Sequence, residues 1–156
     1  MATATMQNKD TDALNHVLRG EISAVETYEN ALTKFTDPEH RTISNVLTRI
    51  RDEHAASVGT LTARVSVLGG TPADGAGVWG AFANAIAGVA KMIGAQTAVA
   101  ALKQGELHGI DDYEKALANT DVSVEAKFLI RNELLPRCRE HVSNLEGIIA
   151  QLDVKK

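Results

Sequence analysis

Four side chains able to bind a metal ion or hold a proton, Glu21, His54, Glu106 and His141, fall on positions that helical spacing reserves for apolar residues. In the first segment Leu14, Leu18, Val25, Tyr28 and Leu32 recur at three-and-four spacing, and Glu21 fills the vacant slot in that series. His54 sits within the series Ile43, Leu47, Ile50, Leu61, Val65 and Leu68. Glu106 interrupts Val99, Leu102, Ile110, Tyr113 and Leu117, and His141 interrupts Ile130, Leu134, Leu145, Ile148 and Leu152. An ionised carboxylate on a buried seam costs several kcal/mol unless a cation, a donor or a metal lies beside it. Two carboxylates with two imidazoles make a nitrogen and oxygen donor set suited to zinc, iron or manganese. The same four groups also suffice for two buried, hydrogen-bonded Glu–His pairs that need no metal.

The elements that carry these residues repeat. Ala13–Leu32 aligns on Ala98–Leu117, with Gly20/Gly105, Glu21/Glu106, Tyr28/Tyr113, Glu29/Glu114 and Leu32/Leu117 identical. Ile43–Val65 aligns on Ile130–Leu152, with Asn45/Asn132, Leu47/Leu134, Glu53/Glu140 and His54/His141 identical. Twofold repetition of a helix pair predicts a four-helix bundle in which each antiparallel hairpin brings a glutamate near a histidine. Asp37-Pro38-Glu39 reads as the start of the second helix, and Gly69-Gly70 as its end. Pro136 removes a backbone donor ahead of His141 and predicts a local kink. Between the hairpins, Thr71 to Ala95 is too long for a turn, and its apolar spacing at Val78, Phe82, Ile86, Val89 and Ile93 predicts a crossover helix. No charge occurs from Gly77 to Ala90, so a homodimer contact through residues 77–93 is expected. The uncharged run is shorter than the roughly 20 residues of a membrane span, and Lys91 ends it.

Bulk composition narrows the function classes. The 156 residues suit one domain, expected over 11–152 with an N-terminal tail at 1–10 and a C-terminal tail at 153–156. A formal charge of −4 with 16 Lys and Arg and no basic block argues against nucleic-acid binding. The single cysteine, Cys138, excludes an internal disulfide and fits a reducing, cytoplasmic setting. There is no nucleophile elbow, phosphate loop or zinc-finger spacing. His16, His40 and His108 read as surface residues.

Glu21, His54, Glu106 and His141 on four helices with a long crossover resemble the ferritin-like superfamily, which includes rubrerythrins and bacterioferritins. More closely, Gly20-Glu21, Leu68-Gly69-Gly70-Thr71-Pro72, Gly105-Glu106 and Tyr113-Glu114-Lys115-Ala116-Leu117 resemble a bacterial family of ferritin-like four-helix proteins of unknown function, some linked with stress responses. The resemblance runs from about Thr11 to Leu152 and implies an all-α bundle. A di-iron bundle carries Glu-x-x-His on two helices, the Glu bridging the metals. This chain departs from that pattern: the residues three before its histidines are Arg51 and Cys138. Glu53 and Glu140 are possible substitutes, but each lies about 100 degrees round the helix from its neighbouring histidine.

The sequence therefore predicts a ferritin-like four-helix bundle binding a single divalent transition-metal ion through Glu21, His54, Glu106 and His141, with Glu53 and Glu140 as possible additions, in a stress-, metal- or redox-related role. The other reading is a non-catalytic interaction protein whose Glu–His pairs fix helix register and whose apolar crossover mediates association.

Overall fold

The computed structural model describes residues 2–76 and 94–155, and the expected crossover helix and dimer contact at 77–93 lie outside them. Among the described residues the chain is all helix and turn, without a strand. Helix α1 spans Ala2–Leu32, a 3-10 turn spans Pro38–His40, and α2 spans Arg41–Val67. Helix α3 spans Ala95–Ala118; α4 spans Val124–Leu129 and runs through a π-helical stretch, Ile130–Leu134, into α5 at Leu135–Val154. Helices α1 and α2 form one hairpin, α3 and α5 the other, and the hairpins meet chiefly along α1 and α3. This is the four-helix bundle that the repeat predicts, in the ferritin-like arrangement that the resemblance implies.

The termini of α2 follow the local chemistry with one adjustment. Asp37 precedes Pro38 without a side-chain cap, and the first turn is 3-10, so α2 proper begins at Arg41. At the other end Gly69 adopts φ +79, a left-handed conformation that L side chains rarely adopt. Its N–H reaches the Ser66 carbonyl at 2.9 Å and the Gly70 N–H reaches Val65 at 3.0 Å, which closes the helix as a Schellman motif.

The N-terminal residues differ from the expected tail, because residues from Ala2 onward are the first turns of α1. They have partners to hold them: the Gln7 amide donates to the Leu68 carbonyl at 2.7 Å. Buried Asp10 accepts from the Ser123 N–H at 2.7 Å and the Ser123 hydroxyl at 2.6 Å. Ser123 Oγ in turn accepts from the Ala126 N–H and caps α4. At the C-terminus α5 continues to Val154, so the expected tail begins as helix.

The break foreseen at Pro136 takes the form of the π stretch. The Leu135 N–H bonds to the Ile130 carbonyl, five residues back, and Pro136 then falls in the first turn of α5, where its missing donor matters least. The wide turn absorbs one extra residue. Both Leu134 and Leu135 are consequently buried, and the inward seam continues through Cys138, His141, Leu145 and Ile148.

The core is divided in two. One apolar cluster gathers Leu14, Leu18, Leu61, Val65, Ile130 and Leu134; the other gathers Phe35, Leu47, Ile50, Val99, Leu102 and Leu145. Glu21, His54, Glu106 and His141 belong to neither cluster and are all buried. They occupy the middle stretch of each helix, between the residues of the two clusters.

Candidate metal centre

Each helix contributes one group to this polar layer: α1 Glu21, α2 His54, α3 Glu106 and α5 His141. His54 bridges the two hairpins. Its Nδ1 lies 2.6 Å from Glu21 Oε2 and its Nε2 lies 2.9 Å from Glu106 Oε1. His141 places Nδ1 3.3 Å from Glu106 Oε2 and Nε2 2.7 Å from Glu53 Oε2. Carboxylate and imidazole thus alternate in one chain of contacts from Glu21 to Glu53, and the two imidazole rings meet with centroids 4.7 Å apart.

Glu106 is the hub. Besides the two imidazoles, its Oε1 accepts from the Tyr28 hydroxyl at 2.6 Å and its Oε2 from the Cys138 thiol at 3.0 Å. Four contacts match the four lone-pair positions of one ionised carboxylate. Burial alone would raise the Glu106 pKa, but the positive His54 and the hydrogen bonds from both histidines hold it well below the usual carboxylate range. His54 shows the complementary effect. Burial would lower its pKa, yet Glu106 and Glu21 together raise it from 6.5 to about 10, which favours the imidazolium in the metal-free protein; an ion bound at Nε2 would take the place of that nitrogen's proton. Tyr28 and Cys138 are both pushed up, first by burial and then by the negative charge of Glu106. Cys138 is accordingly a thiol here, not a nucleophile.

Five of the six expected donors come together, but they are not equivalent. His54, Glu106 and His141 offer ligand atoms that all lie within 4.8 Å of one another, and all three are buried. Glu21 stands behind His54, on the nitrogen that points away from Glu106. Glu53 does not approach its neighbour His54; it crosses from α2 to α5 and meets His141. Its position about 100 degrees round α2 from His54 is what aims it at the adjacent helix. Glu140 is exposed on the opposite hairpin and takes no part. The contact between Cys138 and Glu106 was legible only as a shared face, since Cys138 lies one turn before His141. Arg137, which donates to Ser57 Oγ at 2.9 Å beside Glu53, carried no sequence signal.

The donor set fits one ion. Two imidazole nitrogens at 2.9 and 3.3 Å from the oxygens of one carboxylate match the spacing of ligands that share a metal at about 2.1 Å. It does not fit a bridged pair. Arg51 turns to Asp52, with its guanidinium donating at 2.6 and 3.0 Å, and Cys138 supplies a thiol where a bridging carboxylate would stand. A cavity of about 60 Å³ lies between α1 and α3, with Glu21, His54 and Glu106 on its wall beside Gly20, Ala24 and Gly105. That volume holds several waters or a small ligand.

No helix among the described residues is long and apolar enough to cross a membrane. No curated protein matches the chain. The solved structure of ferritin like, diiron-carboxylate proteins from Bacillus anthracis str. Ames superposes with a TM-score of 0.70 at 16% identity, over 92% of this chain and 97% of that one. Residues 9–119 match the family described as a domain of unknown function, DUF2383, and the chain belongs to that family.

Proposed function

We propose that the protein binds one divalent transition-metal ion, iron, zinc or manganese, between its helices, in a metal- or redox-related stress role. His54 Nε2, Glu106 and His141 Nδ1 would hold it. The observation that carries this reading is the convergence of three buried donors from three helices within 4.8 Å. Glu21 and Glu53 then act as outer carboxylates, each fixing the orientation of one imidazole through its far nitrogen. A bound ion would supply Lewis acidity, or one-electron chemistry with iron or manganese. The chain's own residues supply the rest: Tyr28 donates to Glu106, and the cavity admits a small ligand to the carboxylate edge. The likeness in fold to ferritin like, diiron-carboxylate proteins supports a metal-related reading, while the absent bridging carboxylates support a single ion.

A second reading rests on the complete partnering of this layer. Both nitrogens of His54 and of His141 face carboxylate oxygens, so the network is satisfied without a metal. The Glu–His pairs would then fix helix register in a structural or interaction protein. Metal analysis of protein purified without chelator separates the two. About one ion per chain, lost in His54→Ala and His141→Ala, supports the first reading; protein that stays metal-free under saturating zinc, manganese and ferrous iron supports the second.

A further inference from the structure

We propose that the cavity between α1 and α3 binds a short primary alkylammonium ion, its charged head on Glu21 and its carbon chain against the apolar wall. Gly20 lies in the interior of α1 and Gly109 in the interior of α3, where glycine is less stable than alanine. Neither has the positive φ that would call for glycine. Packing does not require it either: a Cβ at Gly20 would meet nothing within 4 Å, and one at Gly109 would meet only Cys138 Sγ, at an ordinary 3.6 Å. What the missing side chains leave is the space itself, about 60 Å³, with room for about four water-sized groups.

The chemistry of the wall selects the ligand. Glu21, only 5% exposed, stands on it with Oε2 held by His54 Nδ1 at 2.6 Å. Its Oε1 has no hydrogen-bond partner among the described residues and is not sealed by protein atoms. A carboxylate oxygen so deep in the fold calls for a donor. The hydroxyls on the same wall do not supply one: Thr27 Oγ1 already donates to the Ser23 carbonyl at 2.7 Å and the Tyr28 hydroxyl to Glu106 at 2.6 Å, so both have only lone pairs left to offer. Glu21, Glu106 and Asp112 place three carboxylates around the cavity, and the His54 imidazolium is shared between the first two. The surroundings therefore favour a ligand that donates and carries positive charge. An ammonium head has three donors and no acceptor, while Val17, Ala24 and Leu102 give its short chain an apolar surface. None of these contacts needs an ion in the His54–Glu106–His141 layer, so the site stands independently of the metal reading.

Titration of the chelator-treated full chain with n-propylammonium chloride at constant ionic strength, followed through the backbone amide resonances, tests it. The Gly20, Gly105 and Gly109 resonances, all from the cavity wall, should shift together and saturate. 1-Propanol, equal in length but neutral, should bind about tenfold more weakly or worse, the difference between a charged and a neutral hydrogen bond. Propylammonium should lose affinity by about the same factor in Glu21→Gln, which removes the charge, and in Gly20→Leu, which fills the space from an open Cβ position and whose fold circular dichroism checks. Propanol that binds as tightly, affinity unchanged in both variants, or glycine resonances that stay put at excess propylammonium would overturn the proposal. The protein is free of metal throughout, so these outcomes are separate from the ion count that decides the metal reading.

Discussion

Replacing Glu106 with glutamine tests the hub directly, because the change keeps the shape and removes the charge on which four donors depend. In the metal-free protein the carboxylate receives His54, Tyr28, Cys138 and His141. Breaking a buried ion pair by removing one partner costs about 3 to 5 kcal/mol. The glutamine oxygen can still accept from Tyr28 or His54, which recovers about 1 kcal/mol. The expected net loss is then about 2 to 4 kcal/mol, a large part of the 5 to 15 kcal/mol typical of a domain. Urea unfolding reads it as a midpoint lowered by about 1 to 2 M for a slope near 2 kcal/mol per M. Tyr28→Phe alone should cost about 1.5 to 3 kcal/mol, since its hydroxyl bonds to a charged group, and much less in the Glu106→Gln background. A loss below about 1 kcal/mol, or strict additivity of the two changes, would refute the placement of Glu106 as a buried shared acceptor.

The remaining expectations concern pH, the outer carboxylates and association. The folded pKa of His54, about 10, lies above its ordinary 6.5, so its contribution to stability is fully present below pH 6.5 and is lost as pH rises through about 10. Urea unfolding of the metal-free protein at pH 7, 9 and 10.5 should show a decline that is shallower in His54→Gln; parallel declines would contradict the ion pair. If Glu21 and Glu53 orient the imidazoles from outside, Glu21→Gln and Glu53→Gln should weaken zinc about 10- to 100-fold without abolishing it. Loss as complete as in His54→Ala would make them direct ligands. Polar residues at Val78, Phe82 and Ile86 should weaken self-association with little loss of helicity, which sedimentation and circular dichroism can check; a wild-type chain that is monomeric at all concentrations would end that proposal.

The fold was legible because apolar periodicity and the internal repeat agree. Leu14, Leu18, Leu47, Ile50, Leu61, Val99, Leu102 and Leu145 all lie on seams read from spacing and are all buried. The polar slots in those seams were legible for the same reason, since Glu21, His54, Glu106 and His141 replace core residues in register. What spacing could not convey is which nitrogen faces which oxygen. The repeat suggests two equal Glu–His pairs, yet Glu106 serves both histidines while Glu21 serves one. That inequality arises across the hairpin interface, where the repeat carries no information. Glu53 illustrates the same limit: its angle on α2 excludes His54 but says nothing of His141 on the facing helix. The N-terminal turns were missed because their polarity resembles a tail, and the bonds of Gln7 and Asp10 go to residues distant in sequence.

The central proposal is that His54, Glu106 and His141 share one ion, and X-ray absorption at the zinc edge of protein loaded at one equivalent tests it most directly. The account predicts a first shell of two imidazole nitrogens at about 2.0 to 2.1 Å with oxygen in the remaining positions and no neighbouring metal. A metal-metal vector near 3.5 Å, or a shell without imidazole, would contradict it.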